Sequence, residues 1–293
     1  MTEQENEMLL NDRIMKIQSI VKKYGEENFY ISFSGGKDST VLSALIDMAL
    51  PNNKIPRVYA NTGIELDIIR DFVFDMAKID KRVFVIKPST PIKQMLKKEG
   101  YPFKSKIHSY CVHLYQTDPI KKMWQGYIGK RPEHWHTRTC PKILSYQFTE
   151  NNKLKISDMC CVKLKEEPLL NWAKKNNKPY SIIGIMRDEG GRRTKSNCLV
   201  FSGKKLKNFQ PLAPMTKDWE EWFIKTYNIK ICDIYKPPYN FNRTGCKGCP
   251  FAIKLQDELD TLEKYFPSER KQCEEIWKPV YNEYRRIGYR LKG

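Results

Sequence analysis

A short apolar run, a glycine turn and the start of a helix follow one another in the stretch Phe29-Tyr30-Ile31-Ser32-Phe33-Ser34-Gly35-Gly36-Lys37-Asp38-Ser39-Thr40. The apolar run is typical of a buried strand, and apolar residues at helical spacing continue until Pro51 ends the helix. Glycines let a backbone approach a ligand closely, and amides at a helix N-terminus carry partial positive charge. The turn therefore predicts a phosphate-binding loop formed by Ser34, Gly35, Gly36, Lys37, Asp38, Ser39 and Thr40.

Strands and helices alternate on both sides of this loop. The patterns predict strands at 29–33, 57–60, 82–86 and 180–185, and helices at 8–24, 39–50, 66–78 and 169–175. Such alternation predicts an α/β fold in which helices cover both faces of a parallel sheet.

The pattern also predicts how the chain is divided. We expect residues 1–26 to form an N-terminal helix, residues 27–252 the main domain, and residues 253–293 an extension with helices at 254–265 and 269–286. Residues 100–157 are basic and aromatic without clear periodicity, which predicts an insertion or lid over the ligand edge of the sheet.

Composition indicates the partner and the compartment. The 293 residues carry a net charge of +18, and residues 81–131 hold twelve Lys or Arg against Glu99 and Asp118. Such an excess favours an anionic partner such as nucleic acid, although a solubilising surface is an alternative. No apolar run approaches the roughly 20 residues that cross a bilayer, and no signal peptide is evident. We therefore expect a soluble cytoplasmic protein that does not interact with membranes.

Two further segments follow predicted strands. Ligands of open α/β sheets bind beyond the carboxyl ends of the strands. One segment contributes Asn61, Thr62, Gly63 and Glu65. The other contributes Gly184, Arg187, Glu189, Arg192 and Arg193, whose guanidinium groups could bind phosphate or sulfate.

Four cysteines form a separate pattern, Cys160-Cys161 and Cys246-Lys247-Gly248-Cys249. Clustered cysteines in a cytosolic chain more often hold metal than form disulfides. Four thiolates can hold zinc or an iron–sulfur cluster, and buried free thiols are a further alternative. We expect the other five cysteines to be ordinary thiols: Cys111, Cys140, Cys198, Cys232 and Cys273.

Together these motifs resemble a known family. The loop lacks the Walker A spacing and instead resembles the PP-loop SGGxDS of the ATP-pyrophosphatase (HUP-like) superfamily. With the TGxE-like segment, the arginine segment and the CC…CxxC pattern in the same order, residues 27–252 are similar to the iron–sulfur branch of the phosphoadenosine phosphosulfate (PAPS) reductase family.

The resemblance implies a Rossmann-like fold that binds an adenine nucleotide, either ATP or PAPS or adenylyl sulfate, with Mg²⁺ bridging its phosphates. It also implies a [4Fe-4S] cluster on Cys160, Cys161, Cys246 and Cys249, with Lys163 nearby. The residues it implies for catalysis are Lys37, Asp38, Lys163 and Arg187.

One departure from the family pattern bears on the reaction. Sulfonucleotide reductases use a cysteine on a C-terminal tail, whereas the last cysteine here is Cys273, on a predicted helix beside Glu274 and Glu275. Our first hypothesis is therefore adenylation and sulfur transfer onto tRNA or DNA, with a sulfur donor protein. The second is a sulfonucleotide reductase that forms sulfite with a thioredoxin-like reductant. The third is a non-catalytic subunit that binds nucleic acid.

Overall fold

The computed structural model describes residues 1–131, 133, 139–189 and 191–292, apart from the side chains of Glu189, Gly191 and Arg192. Contacts divide the chain into two compact units. The first unit comprises Met1–Asn61, Glu65–Lys87 and Glu167–Thr244. The second comprises Thr62–Ile64, Pro88–Glu166 and Gly245–Gly293. Among the described residues, no helix combines the length and apolar character that a membrane span requires.

The first unit is built on one sheet. Its strands are β1 Phe29–Phe33, β2 Arg57–Ala60, β3 Val83–Ile86, β4 Tyr180–Ile182, β5 Leu199–Ser202 and β6 Lys205–Phe209. Their spatial order is β3-β2-β1-β4-β6-β5. Every neighbouring pair is parallel except β5 and β6, which form an antiparallel hairpin. The predicted α/β fold is confirmed.

The β5–β6 hairpin was not predicted from the sequence. It forms one edge of the sheet, where Ser202 pairs with Lys205 across a two-residue turn that includes Gly203 at φ +58°. An antiparallel edge strand on a parallel sheet is common, and a partly exposed strand of four residues carries little apolar pattern. The sheet is therefore mostly parallel, with one antiparallel pair at this edge.

Helices flank the strands in the first unit. They are α1 Glu3–Tyr24, α2 Lys37–Ala49, α3 Asp67–Ile79, α8 Glu167–Lys175 and α9 Lys217–Thr226. Helix α1 begins with a capping box between Thr2 and Glu5. Helix α9 is anchored by the fully buried Trp219, whose indole donates a 3.2 Å hydrogen bond to the Asn6 carbonyl of α1.

The second unit is mainly helical. Its helices are α4 Ile92–Glu99, α5 Lys106–Thr117, α6 Lys122–Tyr127, α7 Met159–Cys161, α10 Leu255–Tyr265 and α11 Pro267–Arg286. The two helices predicted for the C-terminal extension are confirmed. Residues 100–157, whose sequence shows no clear periodicity, contain α5 and α6. These helices pack through aromatic rings around the buried His108, which a search for an apolar stripe does not detect.

Candidate functional site

The predicted phosphate loop connects β1 to α2 in the first unit. Gly36 is the N-cap of α2, so the loop ends at a helix N-terminus. The loop is held by its own hydroxyl groups: Ser39 Oγ donates to the Gly36 carbonyl at 2.9 Å, and Thr40 Oγ1 donates to the same carbonyl at 3.0 Å. The Ser34 hydroxyl accepts from the Gly36 amide at 3.2 Å. These bonds hold the loop in shape before a ligand arrives.

Two glycines are required by close packing around the loop. Gly35 has φ +71°, and a Cβ atom there would lie 2.5 Å from Cγ2 of Val73. Gly184 follows β4, and a Cβ atom there would lie 2.9 Å from the Asp38 carbonyl oxygen. Both residues belong to the predicted site, and each acts by letting backbone or side chains approach the loop.

A cavity of about 360 Å³ opens at this loop. Of the predicted site residues, those that line it are Ser34, Gly36, Lys37, Asp38, Ser39, Gly184 and Arg193. Residues that were not predicted also line it, namely Lys217, Glu220, Glu221, Tyr235, Asn242, Arg243 and Thr244. The cavity therefore combines the phosphate loop with the first turn of α9 and the segment that ends the first unit.

Lys37 and Glu220 form an ion pair in the wall of this cavity. Nζ of Lys37 lies 3.2 Å from Oε2 of Glu220, and the Glu220 side chain is 1 % exposed. Burial, followed by the negative charge of Asp38, raises the pKa of Glu220 to about 7, while Lys37 opposes the shift. No sequence pattern pointed to Glu220, because it lies on an ordinary amphipathic helix far from the loop in sequence.

Basic side chains form another part of the wall. Burial, followed by repulsion from Arg243, lowers the pKa of the half-buried Arg193. Two guanidinium groups that repel each other in one cavity provide a strong field for an anion. Tyr235 hydrogen-bonds Thr244, and a Cβ atom on Gly36 would lie 3.3 Å from the Tyr235 hydroxyl. Of these residues, the sequence analysis predicted Arg193, whereas Tyr235, Arg243 and Thr244 were missed; Arg243 and Thr244 directly precede Gly245-Cys246.

Other predicted residues lie elsewhere. Arg187 is exposed, and its Nε donates a 2.6 Å hydrogen bond to the Ser196 carbonyl. It does not line the cavity among the residues described, and neither do Asn61, Glu65, Gly35 and Thr40. Thr62 and Gly63 belong to the second unit. The side chains of Glu189 and Arg192 fall outside the described part of the chain.

The four predicted cysteine ligands come together in the second unit. Cys160 is buried, and a hydrogen bond with Cys161, then burial and the nearby Cys249 and Cys246 thiols, raise its pKa. The same hydrogen bond lowers the pKa of Cys161 to about 6, and Lys106 and Lys165 also lower it. Burial, then Cys246, raises the pKa of Cys249. The two distant stretches of chain therefore converge on one group of interacting thiols.

The donor set of this group fits a thiolate-bound centre. All four thiols act electrostatically on at least one other member. In the geometry of the described residues, however, no three His, Cys, Asp or Glu side chains close around a single metal ion. Lys163 lies half-buried in the π-helical segment Val162–Glu166 that follows α7.

Helix α11 holds the CxxC segment in place. The Trp277 indole donates to the Lys247 carbonyl at 3.0 Å, and the Tyr284 hydroxyl donates to the Pro250 carbonyl at 2.8 Å. The Tyr281 hydroxyl donates to the Gly248 carbonyl between them. Sequence reasoning missed this role of the extension, because hydrogen bonds to backbone carbonyls depend on tertiary packing and leave no motif.

Comparison with known proteins adds the family. The sequence model of the family described as phosphoadenosine phosphosulfate reductase domain matches residues 28–252 of this chain. No curated protein matches the chain significantly. Among solved structures, a PAPS reductase from Candida auris in a phosphate complex aligns at 11% identity and TM-score 0.44, covering 80% of this chain and 91% of the other.

Two further solved structures align with comparably low sequence identity and TM-score. The U34-tRNA thiolase NcsA from Methanococcus maripaludis, with its [4Fe-4S] cluster, aligns at 16% identity and TM-score 0.39, covering 94% of this chain and 80% of the other. The NH3-dependent NAD synthetase from Campylobacter jejuni subsp. jejuni NCTC 11168, in complex with nitrate, aligns at 13% identity and TM-score 0.42, covering 98% of each chain. The match of the domain model over most of the sequence decides the family: this chain belongs to the phosphoadenosine phosphosulfate reductase domain family of adenine-nucleotide PP-loop enzymes.

Proposed function

We propose that the protein binds ATP at the loop of the first unit and adenylates an oxygen of a nucleic-acid acceptor. Sulfur from a donor protein then replaces this activated oxygen. The observation that carries this proposal is the cavity itself, where the phosphate loop and Lys37 meet Arg193 and Arg243. A loop amide dipole, an ammonium and two guanidinium groups match the charge of a polyphosphate. The volume of about 360 Å³ lies in the range of small-molecule sites.

In the proposed reaction the acceptor oxygen attacks the α-phosphorus of ATP. The bond from that phosphorus to the bridging oxygen breaks, and pyrophosphate leaves with the electron pair. Lys37 and the arginines stabilise the charge that develops on the departing phosphates. Mg²⁺ bound to the nucleotide would supply additional charge neutralisation. A sulfur nucleophile from a donor protein then displaces AMP from the activated carbon of the acceptor.

The cysteine group has a separate role in the proposal. Cys160, Cys161, Cys246 and Cys249 would hold a [4Fe-4S] cluster, with zinc as the alternative occupant, because four thiolates are the donor set that either requires. Such a cluster would bind the sulfur that is transferred in the reaction, or shape the site around it. The proposal is supported by the mutual influence of the four thiols on their pKa values.

The acceptor is proposed from charge. The net charge of +18 favours a polyanion, so tRNA and DNA are the acceptor classes to test. Cys273, the candidate nucleophile for a reductase, is fully buried, and burial raises its thiol pKa to about 12. A thiol in this state is a poor nucleophile at neutral pH, which favours adenylation over reduction.

The decisive measurement is pyrophosphate release from ATP by anaerobically purified protein, with and without tRNA or DNA. We expect release that the nucleic acid stimulates, and that Lys37→Met abolishes while the exposed-lysine control Lys54→Met retains it. A parallel assay follows sulfite formation from PAPS and adenylyl sulfate with thioredoxin. Sulfite formation that Cys273→Ser abolishes, without stimulated pyrophosphate release, would establish the reductase instead.

A further inference from the structure

Glu220 is an unusual component of the cavity wall. It lies on the first turn of α9, its side chain is 1 % exposed, and it faces the phosphate loop. Lys37 Nζ lies 3.2 Å from Oε2 of Glu220, and no other ion pair to this carboxyl is recorded among the described residues. Burying a carboxylate this deeply is costly, so its ionised form depends on a nearby positive charge such as Lys37.

The two charged groups that act most strongly on the pKa of Glu220 both come from α2, which packs against α9. Lys37 favours the ionised form of Glu220, whereas Asp38 favours the neutral form. Lys37 is thus the positive charge that most favours ionised Glu220, and Asp38 acts against it. The ionised state of Glu220 therefore depends on Lys37 staying where it is.

The other titratable groups that line the cavity are Arg193, Lys217, Glu221, Tyr235 and Arg243. Helix α1 also packs near α9, and its polar contacts there are made to the indoles of Trp219 and Trp222 and the hydroxyl of Tyr227, by Asn6, Glu3 and Glu7. Burial, Asp38 and Lys37 remain the largest influences on Glu220.

We propose that Glu220 is a positioning residue for Lys37, and that it takes up one proton when the phosphates of a nucleotide enter the cavity. The inference rests on the proposed nucleotide site. Entering phosphates attract Nζ of Lys37 and add negative charge beside a buried carboxylate. Both changes favour the neutral acid. The proton moves from solvent to a carboxyl oxygen of Glu220, and no other bond is made or broken.

Proton uptake makes nucleotide affinity depend on pH. Since burial and Asp38 raise the pKa of Glu220 to about 7 in the free site, phosphates would raise it further. Below pH 7 the group already carries its proton, so affinity is maximal. Above pH 7 affinity falls by up to about tenfold per pH unit until the pKa of the bound state is reached.

Calorimetry tests this directly. ATP would be titrated into the full chain at pH 8.0, without Mg²⁺, in buffers of different ionisation enthalpy. The terminal phosphate is then already ionised, because a phosphate monoester has a second pKa of about 6. The observed enthalpy should rise with the buffer ionisation enthalpy with a slope near one proton taken up. Glu220→Gln should bring the slope close to zero, and Asp218→Asn, an exposed carboxyl on the same turn of α9 that is not among the described residues lining the cavity, should leave it unchanged.

Each outcome decides the proposal. A wild-type slope of zero, or an equal slope in Glu220→Gln, overturns it while leaving nucleotide binding intact. ATP that fails to bind the wild-type protein even at pH 6.5 overturns the proposed function and this inference together. If Glu220→Gln does not fold, difference infrared spectra of the wild-type protein take its place. A protonated-carboxyl band that appears on ATP binding supports the proposal, and its absence overturns it.

Discussion

Nζ of Lys247 lies 3.0 Å from Oε2 of Glu269, and both side chains are almost completely buried. Gln272 Oε1 accepts a second hydrogen bond from the same ammonium at 2.7 Å. Lys247 is the residue directly after Cys246, so the pair ties the CxxC segment to α11. Because desolvation offsets most of the attraction in a buried ion pair, we infer that this contact defines position more than it adds stability. The hydrogen bonds that Trp277, Tyr281 and Tyr284 of α11 donate to the neighbouring carbonyls also fix the position of this segment.

The first prediction concerns Gly248. This residue has φ +58°, and a Cβ atom there would lie 2.8 Å from Sγ of Cys273 and closer still to the Tyr281 hydroxyl. Gly248→Ala should therefore lower the free energy of unfolding by about 1–3 kcal/mol and reduce the iron content of anaerobically purified protein. Gly245→Ala, in open space three residues earlier, is the control and should change stability by no more than about 0.5 kcal/mol. Equal iron content in both variants would contradict the prediction.

The second prediction concerns Gly184. Since a Cβ atom here would meet the Asp38 carbonyl at 2.9 Å, Gly184→Ala must displace the first turn of α2. We expect ATP affinity to fall at least tenfold, as measured by calorimetry, because the loop amides and Lys37 move with that turn. Urea unfolding of the same variant separates this effect from general destabilisation. Unchanged ATP affinity in a folded variant would rule out the role assigned to Gly184.

The third prediction is a pH dependence of stability. His108 is fully buried between the Tyr127 hydroxyl at 3.1 Å from Nδ1 and Oε1 of Gln147 at 2.6 Å from Nε2. Burial lowers its pKa from 6.5 to about 4. The unfolded chain therefore binds a proton that the folded protein does not between these values, so stability is complete above pH 6.5 and falls as pH drops toward 4. The loss should reach about 3 kcal/mol.

Urea unfolding at pH 4.5 and pH 7.5 measures this loss. His108→Gln removes the titrating group, so the part of the pH dependence between pH 6.5 and 4 that belongs to His108 should disappear. The variant will be less stable overall, but its stability should change less across this interval. An identical pH profile in the two proteins would show that His108 is not responsible.

The fourth prediction concerns Asp47 on α2. Its Oδ1 lies 2.6 Å from Nη2 of the fully buried Arg57 and 2.7 Å from Nη1 of Arg82. Asp47→Ala leaves the buried guanidinium without its carboxylate, so the free energy of unfolding should fall by about 2 kcal/mol. The control is Asp71→Ala, which breaks an exposed pair with Arg70 and should cost less than about 1 kcal/mol. Equal losses in thermal or urea unfolding would refute the assignment.

Local patterns predicted most of the first unit. The strand–turn–helix around Gly35 and Gly36 was confirmed within two residues at each end, because its strand is apolar, its turn is glycine-rich and its helix is ended by a proline. The β5–β6 hairpin and helices α5 and α6 were missed. Their residues are half exposed or packed through aromatic rings, so neither a two-residue nor a helical period emerges.

The candidate site likewise contains residues that the sequence predicted and residues that it missed. Five of the seven predicted loop residues, together with the predicted Gly184 and Arg193, line the cavity. Arg187, Arg192 and Arg193 were all predicted to bind an anion; the Arg187 side chain donates to the Ser196 carbonyl, whereas Arg193 lines the cavity. Which arginine of a loop faces a ligand depends on the path of the backbone, and spacing along the chain does not determine that path.

The sequence by itself determined the α/β fold, the phosphate loop and the set of cysteines that interact in the second unit. Each of these predictions uses short stretches of sequence: the apolar strand and glycine turn of the loop, and the closely spaced cysteines 160–161 and 246–249. Only the tertiary structure decided that Glu220 lies beside Lys37 and that α11 holds the CxxC carbonyls. Contacts between residues far apart in sequence arise when whole helices and strands pack together. This packing buries side chains and shifts their pKa values, and no pattern in the local sequence indicates where that happens.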